Sequence, residues 1–210
     1  VSFAISKELY LEHEGESLLR KHSVYYEFKK IAKKEEAKYF VFAVLRNPME
    51  IAITMYEKMK ANKKGNFTNP KLFTENGGHI TKKHREEFNF INTKNATFQE
   101  YFKAFFTKPY DSLASLTIDF CSHVIRYENI AEDYLRVLKE IGIKNPRPLP
   151  VANKTAKKRK DLSLYYTDQI KEEAVFVFGP FLEKYNYSFP ESFGNVKIPI
   201  KSKIQFFVLS

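Results

Sequence analysis

With 210 residues, 43% of them hydrophobic and 16% aromatic, the chain can bury a substantial core, which excludes an intrinsically disordered polymer. Its formal charge of +10, from 35 Lys+Arg against 25 Asp+Glu, points to an anionic partner: nucleic acid, a phosphorylated cofactor, an acidic glycan or a membrane surface. The single cysteine, Cys121, excludes an intrachain disulfide and a thiolate-rich zinc site, and the five histidines lack metal-ligand spacing.

Residues 17–38 read as a helix, with Leu18, Leu19, Val24, Phe28 and Ile31 marking an apolar side among lysines and glutamates. The run Tyr39 to Leu45 is apolar on both faces, the pattern of a central strand in a parallel sheet. It ends in Arg46-Asn47-Pro48. Pro48 and Glu50 suit the first turn of a helix that runs to about Lys60. Residues 61–95 are rich in Asn, Lys, Gly and Thr, with Gly77-Gly78 in the middle. They read as a surface excursion of broken helical pieces, a lid or a substrate-facing element. Thr97 and Glu100 are spaced as a capping box for a helix whose aromatic face is Phe98, Tyr101, Phe102, Phe105 and Phe106.

Residues 122–127 read as a second strand, and 130–141 as an amphipathic helix with Tyr134, Leu135, Leu138 and Ile141 inward and Gly142 as its C-cap. An extended linker at 146–150 leads into a strongly basic loop, 151–161. A last helical region starts at Thr167-Asp168 and reaches about Tyr185, with Gly179-Pro180 expected to break or kink it. Residues 204–209 suggest an added edge strand. The alternation of strands and helices predicts an α/β class, a parallel sheet flanked by helices, in one domain over residues 1–210.

No run approaches the roughly 18 consecutive apolar residues of a membrane span, so no transmembrane segment is expected. No signal peptide is visible. Four N-x-S/T sites, at Asn66, Asn95, Asn153 and Asn186, permit a secretory-lumen origin, which would place the chain in the Golgi lumen; otherwise the cytoplasm is expected. The aromatics follow core periodicity and do not alternate with the basic residues as base-stacking platforms would, which argues against nucleic acid. No feature of the pattern sets an oligomeric state.

Arg46 is the first candidate for ligand binding. A guanidinium at the tip of a buried strand offers planar, bidentate donors to phosphate oxygens, and Asn47 and the following helix amides can hold the same group. Thr54, two helical turns on, can return a hydroxyl to that anion. The alternative is that Arg46 pairs with a carboxylate and Thr54 bonds only to backbone. The basic run 154–160 is either a solvated loop or a mobile cationic flap over a polyanion.

The segments "YFVFAVLRNPMEIAITMY" (39–56), "HVIRYENIAEDYLRVLKEIGI" (123–143) and "LPVANKTAKKRKDLSLYYTDQIKEEAVFVFGPFLEKYNYSFP" (149–190) together resemble the carbohydrate sulfotransferase family. The resemblance implies a P-loop-NTPase-like three-layer fold, the sulfate donor PAPS with PAP as its product, and transfer to a hydroxyl-bearing acceptor, a carbohydrate or related compound. It places the donor's 3′-phosphate on Arg46 and Thr54, a threonine where the family usually has serine. Asn47 stands where the family commonly has aspartate. Lys154, Thr155 and Arg159 correspond to the family's late donor-contacting loop, and Arg126-Tyr127-Glu128-Asn129 to a strand end and helix cap. No metal is implied.

Nothing before Tyr39 matches the family's Lys-x-Gly phosphosulfate loop; Ser6-Lys7 and Gly15-Glu16-Ser17 are poor stand-ins, the latter setting a carboxylate where an anion must lie. A noncatalytic relative that binds PAP or an acidic glycan is therefore the alternative function. The catalytic base is unassigned, with His13, His22, His79 and Glu75 as nominees. A phosphotransferase of the P-loop kinase kind is disfavoured by the lack of a G-x-x-x-x-G-K-S/T sequence.

Overall fold

The computed structural model describes residues 24–111, 115–149 and 161–209. In chain order they form α1 (Tyr25–Ile31), β1 (Phe42–Leu45), α2 (Pro48–Ala61), α3 (Lys82–Thr93), α4 (Phe98–Phe105), α5 (Ser115–Ile118), β2 (His123–Arg126), α6 (Ile130–Glu140), α7 (Lys171–Lys184) and α8 (Ile200–Leu209), joined by turns and short 3-10 pieces. The class is α/β. The chain divides into two units, one within Val1–Arg46 and Ser112–Lys158, the other within Asn47–Asp111 and Arg159–Leu209.

In the first unit β1 and β2 pair in parallel, with Phe42 opposite His123 and Leu45 opposite Arg126. The Ser122 amide extends the ladder by donating to the Val41 carbonyl at 2.7 Å. Leu45 and Ile125 are buried on this pair, while the other strand residues are half-buried. The expected strand at 39–45 is thus shorter at its start. The Tyr39 amide closes a 3-10 turn on the Glu36 carbonyl, and its side chain is 60% exposed. The helix expected over 17–38 also breaks: α1 stops at Ile31, because Ala32 turns extended and the Glu36 carboxylate takes the Lys33 amide at 2.6 Å to start a new turn. Residues 17–23 of that expectation lie outside the described residues.

α6 ends as its sequence requires. Gly142 adopts φ +93°, and the amides of Gly142 and Ile143 reach back to the carbonyls of Lys139 and Leu138. These two bonds make a Schellman cap, with Ile143 packed on Leu138.

The second unit is built on aromatic rings. α2 buries Met49, Ala52, Ile53, Tyr56 and Met59, three or four residues apart, against Phe98, Tyr101 and Phe102 of α4 and Val177 and Phe178 of α7. Phe98 meets Tyr166 edge-on at 5.0 Å, and Phe102 stacks on Phe106 at 4.7 Å, arrangements that suit the ring quadrupole. The tyrosine hydroxyls find backbone partners: Tyr166 donates to the Met49 carbonyl and Tyr56 to that of Ala96. Tyr101 donates to the buried Glu87 carboxylate at 3.0 Å, and burial together with that charge holds its phenol well above the ordinary range.

Three expectations change here. Residues 61–95 do more than cover the surface: α3 is a continuous helix that buries Ile91 and Glu87, and Phe67 and Ile80 join the same core. α7 passes through Gly179-Pro180 without a break. Proline removes the amide that would bond the Phe176 carbonyl, and the buried Ser202 hydroxyl from α8 donates to that carbonyl instead. Gly179 makes room for the segment before α8, since a Cβ there would lie 2.8 Å from the Ile198 side chain. Residues 204–209 are helical rather than an edge strand, because Ser202 and Phe206, four apart, face inward together.

Candidate functional site

Arg46 directly follows β1, so the apolar run above it delivers a guanidinium to the C-terminal end of a parallel strand. That end is where open α/β sheets place ligands. The side chain is half-buried, and its Cζ lies 4.5 Å from the centroid of the Tyr127 ring, which is 44% exposed. Tyr127 starts the turn after β2, so strand pairing brings the two residues together. A cation over a ring face gains roughly 0.5–1 kcal/mol at an exposed site. Sequence reading placed Tyr127 in a structural segment and missed this contact; its signal is the strand register, which sets Leu45 opposite Arg126.

The strand end itself is held by Asp133. Its carboxylate accepts from the Arg126 amide at 3.1 Å and from Arg136 at 2.7 Å. Arg126 ends β2 and Asn129 stands at the N-cap of α6, as read from the sequence, although the Asn129 side chain makes no capping bond.

Asn47 opens the second unit, the boundary falling at the peptide after Arg46. Its Oδ1 accepts from the Met49 amide at 2.9 Å, and its carbonyl accepts from Ile51. Pro48 has no amide proton to give. The Met49 and Ile51 amides of the α2 N-terminus are thus bonded within the helix start. Thr54 donates its hydroxyl to the Glu50 carbonyl one turn back, at 2.7 Å. Lys154, Thr155 and Arg159, with the rest of the basic run 151–160, lie outside the described residues.

Among the base nominees, His13 and His22 also lie outside the described residues. Glu75 is held by Arg85 at 2.7 Å, and this guanidinium, first among the causes, keeps the carboxyl below its ordinary range. A carboxylate so stabilised is a weak proton acceptor near neutral pH. His79 is exposed beside Gly78, where a Cβ would fall 2.1 Å from the Leu72 carbonyl and only glycine fits. His123 has its Nε2 enclosed without a hydrogen-bond partner, but it stands at the start of β2, the end opposite Arg46. The Cys121 thiol donates to the Thr117 carbonyl, and burial, aided by Asp119, pushes its pKa up to about 11, far from a reactive thiolate. Among the described residues no group of three potential metal ligands comes together, and no helix is long and apolar enough to cross a membrane.

Compared with protein-family profiles, curated proteins and solved structures, the chain matches none.

Proposed function

We propose that the chain is a sulfotransferase of P-loop-NTPase-like three-layer fold, moving a sulfuryl group from PAPS to a hydroxyl of a glycan or related acceptor. One observation carries this reading: a parallel strand ends in Arg46, and a proline-started helix follows at once. That arginine would hold a phosphate of PAPS. Its charge and planar N–H groups suit a phosphate dianion, whereas the Asn47 carbonyl oxygens serve the helix cap and the Thr54 hydroxyl must turn from Glu50 to reach an anion. Bound PAPS would supply an activated sulfuryl group. On transfer, the acceptor oxygen would bond to sulfur, PAP would leave with the former bridging oxygen, and the hydroxyl proton would pass to a base.

The role of Arg46 is tested by calorimetry with PAP. Replacing Arg46 with alanine is expected to weaken binding by about 1.5–3 kcal/mol, the range for a charge-assisted hydrogen-bonded contact. Equal affinity in a folded R46A variant would refute the assignment. The second reading is a noncatalytic binder of PAP or an acidic glycan, since residues 1–38 carry no Lys-x-Gly-like phosphosulfate loop. PAP binding without label transfer from sulfur-labelled PAPS to any hydroxyl acceptor would select it.

A further inference from the structure

α8 is apolar on both sides, and only one side is used. Ser202 and Phe206 turn inward, Phe206 edge-on to Phe181 of α7 at 6.5 Å. Ile200, Ile204, Phe207 and Val208 turn outward and are 71%, 61%, 84% and 78% exposed. At about 3.6 residues per turn these four side chains form one continuous stripe. Lys201 borders the stripe on one side and Lys203 on the other, with Lys197 just before the helix. Lys203 is partly neutralised by Glu183 at 2.7 Å, while Lys201 is exposed.

We propose that this face of α8 lies on an anionic lipid surface. An apolar stripe margined by lysines is the pattern of a helix lying in the plane of a bilayer interface: the rings and branched chains enter the acyl boundary, and the lysine stems run along it to reach headgroup phosphates. The net charge of +10 adds long-range attraction to such a surface. A second copy fits less well. A two-fold contact through the stripe would set the lysine margins of one copy against those of the other. The inward anchors already hold the helix, so little ordering cost remains on docking.

The test is co-sedimentation of the protein with vesicles of phosphatidylcholine containing phosphatidylserine, at low salt, with I204S/F207S as the variant. Both side chains are exposed, so circular dichroism and the thermal midpoint should match wild type. Partition is expected to fall by about tenfold in the variant, from lost apolar burial. K201E should bind more weakly, and its binding should depend less on salt. Three results overturn the proposal: no wild-type partition into anionic vesicles, equal partition of wild type and I204S/F207S, or a wild-type dimer in light scattering that the variant abolishes.

Discussion

Ser202 shows how much one hydroxyl can decide. A proline inside a helix ordinarily leaves a carbonyl one turn back without its amide, and that loss, with the ring's clash, costs about 3 kcal/mol or more. In α7 the Phe176 carbonyl is the deprived group, and the fully buried Ser202 supplies the donor. Ser202→Ala should therefore destabilise the protein by about 1–3 kcal/mol in urea unfolding, the cost of an unsatisfied acceptor. In a Pro180→Ala background, where an amide proton returns, the same substitution should cost clearly less. Equal costs in the two backgrounds would separate the hydroxyl from the proline. Sequence reading sees Gly179-Pro180 and expects a break, since the compensating residue lies 26 positions from Phe176. Arg46 was legible as a strand-end cation for the opposite reason: strand, arginine and following helix are contiguous. The uses of Asn47 and Thr54 were not, because an asparagine carbonyl and a threonine hydroxyl satisfy a backbone group or a ligand equally well.

Helix ends were the part most readable from local sequence. Asn47-Pro48 starts α2, Thr97 with Glu100 starts α4, and Gly142 stops α6. Each works through groups within a few residues. Asn95 and Asn186 belong to the same class: both have positive φ, and the following residues, Ala96 and Tyr187, donate back to Ile91 and Leu182. Two of the N-x-S/T asparagines thus have a conformational reason to be there. In the α4 box the Glu100 carboxylate takes the Thr97 amide at 2.7 Å and its hydroxyl at 2.8 Å. The amide bond first, then the hydroxyl, holds its pKa below the ordinary 4.5. A lowered folded pKa adds stability above the unfolded value, and that stability is lost as pH falls through the folded one. Wild type should be more stable than E100Q at neutral pH, and the gap should close on acidification below about pH 5. A gap that does not change with pH would contradict the cap. Where element reading failed, at residues 32–38 and 204–209, the deciding partners were a captured amide and an inward face shared with Phe206.

At the scale of the whole chain, the buried apolar side chains of the described residues are unequally shared between the two units. Tyr101, Phe102, Tyr166, Phe178 and Phe181 are fully buried rings of the second, whereas the first fully buries the Tyr134 ring of α6, with Val137 and Leu138, and its strands bury Leu45 and Ile125. Local opening should follow burial, so amides of β1 and β2 are expected to exchange with deuterium faster than those of α4 and α7. Uniform protection across all four would contradict that ordering. The aromatic content hinted at a large core but not at its placement, because rings spread along the whole sequence gather only through tertiary packing. The bond from Ser202 to the proline-deprived carbonyl has a mechanical consequence. A helix fixed only by apolar side-chain contacts would peel away under load. This one is stitched to the waist of α7, so a pull on α8 is felt in the interior, and a chain cut before Ser202 would leave an unmet acceptor in the middle of that helix.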